Sequence, residues 1–153
     1  MSTIHLILQG KGGVGKSMIA AFIAQYQLTK GKRPLCLDTD PVNASFQAYK
    51  GLPVTRLNIL QDEEIDPRSF DQLVELISHA KGDVVIDNGA SSFVPLSAYL
   101  ITNHVPALLQ SLSHQIVVHT VITGGQAQSD TLHGFTQLVK QFPSDVSLGV
   151  WLN

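Results

Sequence analysis

Eight consecutive residues, Gly10-Lys11-Gly12-Gly13-Val14-Gly15-Lys16-Ser17, carry the strongest chemical signal in the chain, a G-x-x-x-x-G-K-[ST] spacing. Glycines let successive backbone N–H groups turn inward around an anion without Cβ clashes. A helix opening directly behind the loop adds its partial positive charge and its unpaired amides. Lys16 then reaches the β- and γ-phosphates of a nucleotide, and the Ser17 hydroxyl ligates Mg²⁺. The expected nucleotide contacts are Gly10 through Ser17 together with Met18.

The same residues also spell G-x-G-x-x-G, at Gly10, Gly12 and Gly15. Asp38 follows at the end of the next apolar stretch, about where a dinucleotide site places its ribose-binding acid. Lys16-Ser17 argues against that alternative, because close helix–sheet packing wants small or apolar residues there. The acids also come as a pair, Asp38-Thr39-Asp40-Pro41, an arrangement suited to Mg²⁺ and water. A strand-end turn in which the Asp side chains cap backbone amides before Pro41 is the plainer reading of the same four residues.

These groups need elements to hold them. Thr3–Gln9 reads as a buried strand leading into the loop, and Ser17–Lys30 has helical spacing with Gly31 as its stop. Pro34–Asp38 is a short apolar strand. Asp66 caps a helix that has Pro67 at its first position and Gly82 as its close. Asp83–Asp87 is a strand, Val94–Asn103 and Pro106–Ser113 are short helices, and Ile116–Ile122 is a strand. Ala127–Phe142 is a helix and Val146–Leu152 a final strand. Strands that are apolar along their length and alternate with helices predict an α/β fold, a mostly parallel sheet covered on both faces.

At 153 residues, 44% hydrophobic and 14% charged, the chain has enough apolar content for one domain, or most of one. The net charge is −2, and no run of Lys or Arg tracks a phosphate backbone. Six carboxylates, Asp62, Glu63, Glu64, Asp66, Asp71 and Glu75, gather in one stretch that reads as a solvated face. The single cysteine, Cys36, excludes an internal disulfide and fits a reducing compartment. No apolar run reaches the ~18 residues of a membrane span, and no secretory leader is apparent. A cytoplasmic protein is expected. The six histidines show no metal-ligand spacing. Because the last strand closes the sequence, where a parallel unit normally continues into a covering helix, residues 1–153 read as a single nucleotide-binding domain truncated at its C-terminal end. A final edge strand is the alternative.

KGGVGKS at Lys11–Ser17, with its additional early lysine, and D-x-D-P at Asp38–Pro41 together resemble the ParA/MinD family of dimeric ATPases, in which the loop is the deviant form of Walker A. The resemblance implies a P-loop NTPase of three layers, α/β/α, with ATP and Mg²⁺ as cofactors and a nucleotide-dependent homodimer. It assigns catalytic roles to Lys11, Lys16 and Asp40: Lys11 contacts the phosphates of the partner subunit, and Asp40 orients the attacking water. It places Ser17, Asp38 and Asp87 around the magnesium, and Asn153 at the purine edge. A solvated loop lysine is the alternative for Lys11, and a simple strand-end residue for Asn153. Asn88-Gly89-Ala90-Ser91-Ser92 departs from the family's pattern after the Walker B acid. Beyond this, Asp38–Ala44, Val84–Ser97 and Ile122–Ala127 are similar to conjugal transfer proteins of plasmids. That implies a slow ATPase, acting as a switch in DNA transfer, with a partner from the transfer machinery or DNA engaged through a further C-terminal part. A nucleotide-dependent scaffold without productive hydrolysis is the competing function.

Overall fold

β1 (Ser2–Ile7) is built of β-branched and apolar residues suited to burial on both faces, and it lies inside a six-stranded sheet. The computed structural model describes Ser2–Asn153. After β1 the chain passes through α1 (Lys16–Thr29), β2 (Leu35–Asp38) and β3 (Val54–Arg56), then a small hairpin of β4 (Leu60–Gln61) and β5 (Glu64–Ile65). It continues with α2 (Pro67–Ser78), β6 (Val84–Asp87), α3 (Phe93–Thr102) and α4 (Val105–Ser111), and ends with β7 (His114–Ile122), α5 (Gln128–Gln141) and β8 (Ser147–Leu152).

The main sheet runs β3-β2-β6-β1-β7-β8, with every neighbouring pair parallel. One face carries Ile4, Leu6, Leu8, Val84, Ile86, Ile116 and Val118 against side chains of α2–α5 such as Phe70, Leu96, Leu109 and Leu138. The other face, with Ile7, Cys36, Val85 and Val121, is covered by Ile19, Ala20, Ile23 and Ala24 of α1 and by Phe46. The expected three-layer α/β fold is therefore present.

Register sets the level of the site. Ile7 and Asp38 both pair with Asp87, so β1, β2 and β6 end side by side at one edge. The chain leaves β1 toward β2 on one side and later crosses back to β7 on the other. Ligands of open α/β sheets bind in the crevice at such a switch point, beyond the carboxyl ends of the strands. The order also decides between the two readings of the glycine loop. A dinucleotide fold places its second strand next to the first, whereas here β6 lies between β1 and β2.

Local chemistry explains the helix starts. Asp66 caps α2, accepting from the Ser69 amide (3.1 Å) and hydroxyl (2.6 Å), with Pro67 at the first helical position. α2 ends at Ser78 rather than running on to Gly82, where the His79 and Ala80 amides close it by donating to the Glu75 and Ile77 carbonyls. β3, β4 and β5 add to the elements expected from the sequence. The turn joining β4 to β5 holds Asp62 and Glu63 at φ 51° and 64°, an uncommon conformation for residues with a side chain.

Candidate functional site

The loop Gly10–Ser17 leaves the end of β1 and feeds α1 over the switch point. Gly13 and Gly15 have φ of 71° and 102°, the left-handed region that glycine adopts without strain, and no side chain caps the helix. Its amides are thus available to an anion. Val14 is buried on the α1 face of the sheet. Gly10 backs onto α3, where a Cβ would lie 3.0 Å from the Phe93 ring.

A cavity of about 540 Å³ opens in front of the loop, in the range of small-molecule sites. Gly12, Gly13 and Gly15–Met18 form one wall, Asp40, Val42, Asn43 and Ser45 another, and Ala90 and Ser91 the third. Lys16, only 8% exposed, donates its Nζ to the Lys11 carbonyl (2.8 Å). Burial draws its pKa down, opposed by the charges of Asp87 and Asp40.

Asp87 sits beneath the loop and accepts from the Ser17 hydroxyl (2.5 Å). Burial pushes its carboxyl up to about 7, with Asp38 and Asp40 adding to the rise and Ser17 and Lys16 opposing it. Its other oxygen, Oδ1, is buried without a hydrogen-bond partner among the described residues. A carboxylate with one orphaned oxygen beside a hydroxyl fits a divalent cation. Among the described residues no three His, Cys, Asp or Glu side chains converge on a metal position. That donor set suits Mg²⁺, which keeps waters and phosphate oxygens as ligands.

Asp38, fully buried, accepts the Asp40 amide (3.1 Å) on one oxygen and the Gln47 amide (3.0 Å) on the other, which fixes the turn after β2. Asp40 accepts the Val42 and Asn43 amides on Oδ1 (2.9 and 3.0 Å) and lies against Gly89. Arg56, on the unforeseen strand β3, supports that turn from outside through the Pro41 carbonyl (3.2 Å). Asn88 ties the strand ends together: it donates to the Ile7 carbonyl (3.0 Å) and accepts the Thr39 hydroxyl (2.7 Å).

The Lys11 ammonium pairs with Asp130 on α5 (2.8 Å), both groups being exposed. Asn153 stands behind the loop, donating to the Val14 carbonyl (3.1 Å) beside Gly15. The structure thus gathers Lys16, Ser17, Asp38, Asp40 and Asp87 at one edge, with Met18 on the cavity wall and Lys11 and Asn153 at the periphery. Sequence reasoning missed Gln9, Arg56 and the anchoring role of Asn88. A primary amide closing an apolar strand, as Gln9 does, was the available signal for the first.

Residues 5–133 match the CobQ/CobB/MinD/ParA nucleotide binding domain, and the chain belongs to that family. Over all 153 residues it is 65% identical to two proteins of Escherichia coli, each called Protein TraL, and spans 64% of their length. It is also similar to Protein MobD of Acidithiobacillus ferrooxidans, at 29% identity over 93% of this chain and 60% of that protein. The chain therefore covers just under two thirds of the curated relatives it matches. Among the described residues no helix is long and apolar enough to cross a membrane.

Proposed function

We propose that this domain binds ATP with Mg²⁺ in the cavity beside Gly10–Met18, hydrolyses it slowly, and works as a dimerising switch in plasmid conjugative transfer. The observation that carries the reading is the joint placement of Lys16, the Ser17–Asp87 pair and Asp40 around one cavity. Bound Mg²⁺ would neutralise charge developing on the phosphates. Ser17 and Asp87 are the residues that would hold it, with Asp38 behind them keeping the Asp40 turn in place. Loop amides and Lys16 stabilise negative charge, and Asp40 orients a water. Asn153, adjoining the loop, is the residue offered to the base.

Lys11 contributes across a homodimer. Its pairing with Asp130 is solvent-exposed and therefore weak enough to be exchanged for a phosphate. A partner from the transfer machinery or DNA would accelerate turnover, and the protein would work in the cytoplasm. A nucleotide-dependent scaffold is the second reading. It is favoured by Asn88, whose amide is committed at both ends and stiffens the segment after Asp87. Phosphate release by wild type, Lys16→Ala and Asp40→Ala separates the two: hydrolysis lost in both variants is expected of the ATPase, and no difference from background in any of them leaves the scaffold. Mixing Lys11→Ala with Asp40→Ala subunits tests Lys11, since recovered activity is expected only if it acts in trans.

A further inference from the structure

Gln9 is the last residue before the phosphate loop, and it is 1% exposed. Burying a primary amide is costly unless its donors and acceptor find partners. Here the partners all lie on β7, α5 and the loop. Nε2 has the Val121 carbonyl at 2.9 Å and the Thr120 hydroxyl and Thr131 carbonyl at 3.2 Å. Oε1 accepts the Lys11 amide at 3.4 Å. α5 is shaped to admit this side chain: a Cβ on Gly134 would lie 2.3 Å from Gln9 Oε1 and 3.1 Å from Cδ and Nε2. Thr131 is itself locked, with its hydroxyl donating to the Ala127 carbonyl (2.9 Å) and accepting the Thr123 amide (3.2 Å).

The backbone N–H that Gln9 holds belongs to the residue whose carbonyl meets Lys16. Lys11 offers its carbonyl to Lys16 Nζ and its own Nζ to Asp130, one residue before Thr131. A path of contacts therefore runs from α5 through Gln9 to the Lys11 N–H and, across the Lys11 Cα, from the Lys11 carbonyl to the Lys16 ammonium. We infer that Gln9 is a positioning residue for the phosphate loop, setting the backbone at Lys11, and through it Lys16, according to where α5 sits. The inference rests on the nucleotide reading above. The Gln9–Lys11 bond, at 3.4 Å, is the longest on the path.

The test measures affinity for a fluorescent, non-hydrolysable ATP analogue with Mg²⁺, at a temperature where circular dichroism shows every protein folded. Gln9→Ala is expected to bind more weakly than wild type by about three- to tenfold, the scale of losing one neutral hydrogen bond. Gly134→Ala, whose methyl displaces the Gln9 amide, is expected to weaken binding similarly. Gly134→Ala is expected to add nothing further in a Gln9→Ala background, because the colliding group is gone. Gln9→Met, which keeps the side-chain length without the amide, replaces Gln9→Ala if that variant does not fold. Wild-type affinity in folded Gln9→Ala or Gln9→Met would overturn the assignment and leave Gln9 a packing residue. Full additivity of the two changes would overturn the route through Gln9. A wild-type protein that does not bind the analogue would overturn the nucleotide reading and this inference with it.

Discussion

Adding one methyl group at Gly89 perturbs the catalytic turn without touching the loop. Gly89 has extended backbone, φ −69° and ψ 158°, so alanine is not strained there by conformation. Space is the obstacle. The new Cβ would lie 2.7 Å from both Cγ and Oδ1 of Asp40, and 3.1 Å from Oδ2, roughly half an ångström or more inside ordinary contact. The carboxylate has to leave, and with it go the bonds from the Val42 and Asn43 amides. Two charge-assisted bonds at a half-buried turn are worth about 1–3 kcal/mol together. A catalytic group displaced by ~1 Å costs on the order of a hundredfold in rate. Gly89→Ala is therefore expected to lower the urea midpoint modestly, and to lower kcat for phosphate release about a hundredfold with KM changed less than ~3-fold. Wild-type kcat and urea midpoint in Gly89→Ala would refute the role given to the Asp40 turn.

Other consequences are equally open to measurement. His119 shares a hydrogen bond with His5 (3.0 Å) and accepts from Trp151 (3.1 Å), while Asp83 and Lys32 face the pair from the His5 side. Burial, with His5 adding, lowers its pKa to about 4 from an ordinary 6.5. Protons then favour the unfolded chain, so this stability is complete above about pH 6.5 and lost as pH falls toward 4, by about 3 kcal/mol at most. Urea midpoints at pH 7 and 4.5 should converge in His119→Gln relative to wild type. Asp130→Asn, which breaks an exposed pair, is expected to leave the unfolding midpoint unchanged and phosphate release undiminished, whereas Lys11→Ala is expected to lose release about a hundredfold or more. Phe46, fully buried against α1 in the segment after Asp40, should cost about 3–5 kcal/mol as Phe46→Ala in urea melts.

The strands and helices that build the site were legible because their signals are local. Apolar runs end in Asp38 and Asp87, a glycine loop precedes a helical period, and Asp66-Pro67 marks a helix start. β3 escaped notice because Val54–Arg56 is three residues long and its Thr55 and Arg56 are exposed. The β4–β5 hairpin escaped because its turn uses Asp62 and Glu63 where a sequence signal would be Gly or Asn. Contacts between distant segments were also invisible. Lys81 is remote in sequence from Lys32 and Arg33, yet the loops before β2 and β6 abut, with a Cβ on Gly82 3.5 Å from the Arg33 carbonyl. Arg33 and Lys81 thereby share a hollow with Lys32, which pairs with Asp83. The polar floor under the site is of the same kind. Gln9 meets Thr131 and Asn88 meets Ile7 only after the sheet is assembled.

Nucleotide binding is predicted to depend on Lys16. Calorimetric titration of Mg·ATP into wild type, Lys16→Ala and Asp40→Ala tests it most directly. One equivalent is predicted to bind wild type only with magnesium present. Lys16→Ala should bind at least a hundredfold more weakly, and Asp40→Ala should retain binding while losing phosphate release. Absence of binding to the wild type, or equal affinity in Lys16→Ala, would contradict it.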